Sequence, residues 1–240
     1  GQSAGGPGTP PPQGSGRIPW FMDTRLLSTT TVSTEHAQAE RGLLCDLMLE
    51  AGPDAPTLCE GWTTAHLAAH LCLRERRLDV GLGLVLPGPF ARYTARTTNR
   101  VADRTPFERL VSRIRSGPPA LIRPVDGTMN LVEFFVHVED VRRAVDGWSP
   151  REDGALQDAL WPLQRSRTRL QARRVDDVDL SIARPGRSAV HVRSGSRPVT
   201  VTGEPGELAL YFFGRRDEAV VDLDGDPEGI REVSTAPIGF

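Results

Sequence analysis

The chain has 240 residues, 38 % of them hydrophobic and 25 % charged, with a formal net charge of -2. That is the composition of a globular domain, not of a disordered chain, and so even a charge balance gives no electrostatic footprint for nucleic acid. No apolar stretch approaches the ~20 residues of a membrane-spanning helix, and Cys45, Cys59 and Cys72, odd in number and without C-x-x-C spacing, fit neither a disulfide framework nor a Cys-based zinc site and point to a reducing cytoplasm.

Residues 1–21 are crowded with Gly, Pro, Ser and Gln and read as a disordered tail or leader, with Met22 as a start. From 33 to 174 the periodicity is helical. A first helix is expected from Ser33 or Thr34, with Leu43, Leu44, Leu47 and Met48 facing a core and Ala51-Gly52-Pro53 as its stop. A second begins after Gly61-Trp62, with Thr63 as N-cap, and runs through His66, Leu67, His70, Leu71 and Arg74. Thr105-Pro106-Phe107-Glu108 announces a third by cap, N1 proline and acidic first turn, and Gly117-Pro118-Pro119 ends it. A fourth is expected over Asn130 to Val145, apolar through Leu131, Phe134, Phe135, Val138 and Val141. A fifth, Asp153 to Arg174, carries Pro162. Four or five consecutive helices make a bundle.

The period then changes to two. Over 175–240, Val178-Leu180-Ile182, Ala189–Arg193, Val199–Val201 and Ala219–Leu223 read as strands. Pro205–Phe213 reads as a helix closed by Gly214, and Asp224-Gly225-Asp226-Pro227 as a turn into a short last helix. The fold class is α+β, a helical bundle followed by a small α+β module.

Of five histidines, His36 and His191 are isolated and read as solvent or packing residues. The other three stand at helical spacing, as His66-x-x-x-His70 and Glu133-x-x-x-His137. Residues four apart share a helix face, so each pair can present two ligand atoms to one point between facing helices. Imidazole and carboxylate suit zinc, and also nickel, iron or manganese. The plain alternatives are that Glu133 answers Asn130 in a capping box and that His70 and His137 are core histidines bonded to backbone.

The segment Pro56-Thr57-Leu58-Cys59-Glu60-Gly61-Trp62-Thr63-Thr64, followed by Leu67-Ala68-Ala69-His70, resembles the W-T-x-x-x-L-x-x-H signature of the DinB-like superfamily in its mycothiol-dependent maleylpyruvate isomerase branch. Asn130-Leu-Val-Glu133-Phe-Phe-Val-His137-Val-Glu-Asp140-Val-Arg-Arg143 resembles that branch's second metal motif. Leu73–Arg77 resembles a run in its actinobacterial metal-binding members of unassigned activity, and the Arg-only basic residues suit a GC-rich genome. Val199-Thr-Val-Thr-Gly-Glu-Pro-Gly-Glu-Leu-Ala-Leu resembles the sterol-carrier-like module attached to many members. The resemblance implies a DinB-like four-helix bundle with a metal on His70, Glu133 and His137. Family members carry an acidic residue where this chain has His66, which could turn inward as a fourth ligand and close the site into a structural one.

Three ligands leave a coordination position open, where an incoming thiol would lose its proton. The resemblance implies a metal-dependent mycothiol S-transferase or isomerase acting on a small, anionic electrophile; the alternative is a non-catalytic metal-binding or metal-sensing protein. Arg74, four residues past His70, could clamp a substrate carboxylate, while Arg76, Arg77, Arg142 and Arg143 read as a solvated face. Asp140 could orient a ligand histidine or pair with an arginine, and Glu139 reads as surface. In the isomerase relatives the C-terminal module lends an arginine to the active site, which points to Arg215 or Arg216. Cys72, about 200° around the helix from His70, reads as a core thiol, and Trp62 as a packing anchor.

Overall fold

The computed structural model describes residues 24–76, 89–118 and 126–238, and the expected tail of residues 1–21 lies outside them. Among the described residues six α-helices come first: α1 Thr24–Ala51, α2 Thr64–Arg76, α3 Pro89–Arg104, α4 Phe107–Arg115, α5 Asp126–Arg142 and α6 Gly154–Gln171. α1 packs along α5, α2 against α3 and α4, and α6 against α1 and α5. No helix among the described residues is long and apolar enough to cross a membrane.

Several boundaries differ from the sequence reading, each for a local reason. α1 starts well before Ser33, which is buried and faces inward instead of capping. Leu43 is exposed, while Leu44, Cys45 and Met48 fill the core. α3 has no counterpart in the sequence reading because its buried residues, Thr94, Thr97 and Thr98, are helically spaced but not aliphatic, with Val101 and Ala102 packed on the core only further along. Pro106 is extended and itself the N-cap of α4, so Phe107 is the first helical residue. α5 begins at Asp126, so Asn130 and Glu133 both lie inside it and the capping-box reading of Glu133 falls away. α6 is capped by Asp153, whose Oδ1 accepts from Leu156 N–H at 3.1 Å.

A 3₁₀ turn, Ala172–Arg174, leads into β1 Val178–Ala183, β2 Val190–Arg193 and β3 Arg197–Thr202, then α7 Pro205–Phe212, β4 Asp222–Gly225 and α8 Pro227–Thr235. The fourth strand thus forms later than Ala219–Leu223, taking in Asp224-Gly225 and leaving Asp226 to cap α8. The sheet order is β2-β1-β3-β4, with β1 and β3 parallel and the outer pairs antiparallel. The β2–β3 link must therefore cross the start of β1, and Gly195 lies so close to the Val178 backbone that a Cβ there would stand 2.3 Å from it. The protein is a mixed α+β structure.

One apolar cluster fills the helical part around Leu44, Leu67, Leu110 and Phe134, and a second lies between the sheet, α7 and α8. A third joins them: Leu131, Phe135 and Val136 of α5 and Leu156 and Leu160 of α6 pack with Ala209, Leu210 and Phe213. Gly206 at the start of α7 meets the Phe135 ring where a Cβ would not fit. The C-terminal module, the tail of the described chain, is seated directly on α5, the helix that carries Glu133 and His137.

Candidate functional site

The site forms where α2, α5 and the chain after α7 converge. The loop before α2 is pinned to α5 by Leu58 N–H on the Asp140 carbonyl at 2.9 Å and closed on itself by the Pro56–Thr63 bridge. Thr63 immediately precedes α2, its N–H donating to His66 Nδ1 at 3.3 Å. His66 is held in this helix-entry contact and stands outside the histidine cluster. One turn on, His70 is buried, with the Trp62 ring 5.1 Å from its own and the His137 ring 5.8 Å away, edge on.

His70, Glu133 and His137 each offer a donor atom within 4.8 Å of the other two. Glu133 Oε1 lies 4.0 Å from His137 Nε2, while Oε2 is paired with Arg74, whose Nη2 also donates to Asn130 Oδ1 at 2.9 Å. Arg74 thus holds a cluster carboxylate instead of standing clear as a clamp. His137 Nδ1 meets Asp140 Oδ2 at 2.9 Å. Burial opposes charge on Asp140, but hydrogen bonds from His137 and Arg215 outweigh it and hold the carboxyl well below the usual range. An ionised Asp140 can only accept, so Nδ1 of His137 carries the proton and Nε2 is left for the cluster.

Arg215 arrives from the tail. Gly214, at φ 89°, ends α7 with its N–H on Tyr211 O at 3.1 Å, and Arg215 N–H returns to Leu210 O at 2.9 Å. This pair of bonds is a Schellman motif, for which glycine supplies the left-handed residue. The Arg215 side chain then grips Asp140 with two bonds of 2.8 Å, from Nε and Nη2. Arg216 points elsewhere, its Nη2 on Ala236 O at 2.6 Å, so the two arginines separate into one site residue and one that ties down the C-terminal end.

A second donor group, Cys59, His137 and Asp140, lies on the far side of His137. Arg215 occupies it already: Nη2 is 3.2 Å from Cys59 Sγ, and that thiol donates to Asp140 Oδ2 at 3.2 Å. Burial, with Asp140 adding to it, pushes the Cys59 thiol up to about 12, and the protonated thiol is engaged with Asp140 and Arg215. The His70, Glu133 and His137 group is different in kind. Two imidazoles and a carboxylate, one ring anchored through its second nitrogen, are a donor set that fits a divalent cation.

Sequence reasoning missed Cys59 as a site neighbour and Arg167 of α6 altogether. Arg167 lies 5.1 Å over the Phe213 ring and is pushed below the usual arginine range by burial, with Arg74 adding to that and Glu133 opposing it. Glu139 and Arg143 also correct the reading of a surface: both are buried and bonded to each other at 2.6 Å. Cys72 is buried, its thiol on the Leu110 carbonyl at 3.3 Å, as a core residue should be.

Burial, then the nearby His137, Arg74 and Arg215, pushes His70 down to about 3. The unfolded chain takes up this proton below about 6.5 and the folded chain does not until about 3, so stability is complete above about 6.5 and is lost as pH falls toward 3. In chelator-treated protein, the thermal midpoint of His70→Gln is expected to decline less between pH 6.5 and 4 than that of the wild type; parallel curves would count against a neutral His70.

No family model and no curated protein matches the chain. Among solved structures, the mycothiol-dependent maleylpyruvate isomerase matches with a TM-score of 0.50 at 18 % identity, over 84 % of this chain and 92 % of that one. The chain has that isomerase's fold. A histidine-to-alanine mutant of the same enzyme gives 0.49 at 16 % identity over the same shares.

Proposed function

We propose that the protein is a divalent-metal-dependent enzyme that presents a low-molecular-weight thiol, mycothiol, to a small anionic electrophile, as an S-transferase or an isomerase. The observation that carries this reading is the convergence of His70, Glu133 and His137 with His137 anchored on Asp140. The fold of a mycothiol-dependent isomerase supports it.

A divalent cation held by these three residues, zinc first, would supply the positive charge that lets a thiol ionise at neutral pH. The protein's own part is preparation. Burial keeps His70 unprotonated, Asp140 fixes which nitrogen of His137 is bare, and Arg74 turns Glu133 so that one oxygen faces His137. With His66 held at Thr63, three donors leave room for a thiol. Around them Arg74, Arg167 and Arg215 set three guanidiniums against the carboxylates of Glu133 and Asp140, an excess of positive charge that favours an anionic substrate. The unpaired cysteines suit a cytoplasmic setting.

The test is consumption of the electrophile over time, with free thiol followed alongside (consumed in an S-transfer, unchanged in an isomerisation), when zinc-loaded protein is mixed with mycothiol and a carboxylate-bearing electrophile or its uncharged amide. Faster consumption with the carboxylate, abolished by removing metal, is expected. Thiol binding without turnover would favour the non-catalytic metal-binding alternative, and no effect of mycothiol would contradict both the thiol and the enzyme reading.

A further inference from the structure

We infer that Arg215 is a positioning residue, through which docking of the C-terminal module sets the metal affinity of the helical site. The inference rests on the metal reading above but concerns a different element, the tail, and a different quantity, affinity.

Arg215 has little left with which to hold a substrate. Its Nε and Nη2 are spent on Asp140, Nη2 also reaches Cys59 Sγ, and Nη1 donates to Phe213 O at 2.7 Å. All three nitrogens are engaged, two of them on a carboxylate that is fully buried and whose other contacts are His137 Nδ1 and the Cys59 thiol. A side chain bound in this way acts on the site through Asp140. It holds the carboxylate that holds the ring, and so fixes where Nε2 points.

The tail is otherwise seated on the same helix. Arg143, just past the end of α5, is clamped by Glu207 of α7 at 2.6 and 3.0 Å, Gly206 presses on Phe135, and the Schellman turn after α7 brings Arg215 back to α5. Placement of α7 on α5 and placement of Arg215 on Asp140 are therefore one event. Cys59, from the loop before α2, closes the remaining side of the same cluster, so three separate chain segments meet on Asp140.

Two physical effects oppose each other here, and their signs differ. Arg215 is a cation near a cation site, so by charge alone its removal should tighten metal binding. As a positioning residue its removal should weaken binding, by about 10- to 100-fold, the usual cost of losing a partner of a ligating histidine. Arg215→Lys separates them further, since it keeps the charge and loses the two-bond grip on Asp140.

The experiment is zinc affinity by chelator competition for the full-length wild type and for Arg215→Met, Arg215→Lys, Asp140→Asn and Arg216→Ala, each checked for native unfolding behaviour. Weakening of about 10- to 100-fold is expected for Arg215→Met and Asp140→Asn, most of that loss for Arg215→Lys, no further loss in the Arg215→Met/Asp140→Asn double variant, and wild-type affinity for Arg216→Ala. Unchanged or tighter binding in both Arg215 variants would overturn the inference while leaving the metal site standing. A wild type that takes up no zinc would remove the site and the inference with it.

Discussion

Replacing Arg143 with methionine is expected to destabilise the protein by about 3 to 5 kcal/mol, the cost of taking one partner from a buried ion network. Its Nε donates to Glu139 at 2.6 Å, its two terminal nitrogens reach Glu207 at 2.6 and 3.0 Å, and its guanidinium stacks 4.2 Å over Trp148. Arg143 and Glu139 have no exposed side-chain surface. Without Arg143, Glu207 keeps the Val220 N–H at 2.8 Å but loses its counter-charge, and Glu139 is left to Arg142 and Arg151. Because the network joins α5 to α7, the loss should appear as a lower urea midpoint. A change below about 1 kcal/mol would place these charges in the class of exposed pairs.

The second large effect falls on the site. Alanine at His70, Glu133 or His137 is expected to weaken divalent-metal binding by more than ~100-fold, beyond the cost of losing an outer partner. His66→Ala should leave it within a factor of a few, because His66 Nδ1 is committed to Thr63. The four variants also separate an open site from a closed one. Equal loss on removing His66 would mean a four-ligand structural centre, and retention of metal without His137 would detach the metal from this cluster. Competition with a chromophoric chelator measures all four.

Much of this arrangement is legible in the sequence, and what is not has identifiable causes. The pairs His66/His70 and Glu133/His137 declare themselves by spacing alone, since four residues is one turn of a helix. Which member of the first pair faces inward depends on the helix start, and Thr63 settles that by drawing His66 to itself. Asp140 was readable as a partner of His137 or of an arginine; it is both. Arg215 could be named only as one of two adjacent arginines, because choosing between them needs the turn that Gly214 makes. Arg143 looks like surface in any local reading, since its partner Glu207 is 64 residues away, and Glu139, bonded to Arg143, is buried with it. Arg167 left no local signal at all, and α3 hid behind threonines on its buried face.

The most direct test of the metal site is anomalous diffraction at the zinc edge from zinc-soaked crystals. One strong peak bounded by His70, Glu133 and His137 is expected, with Arg215 still on Asp140 and His66 still on Thr63. A peak among Cys59, His137 and Asp140, or none within the helical part of the molecule, would contradict that expectation.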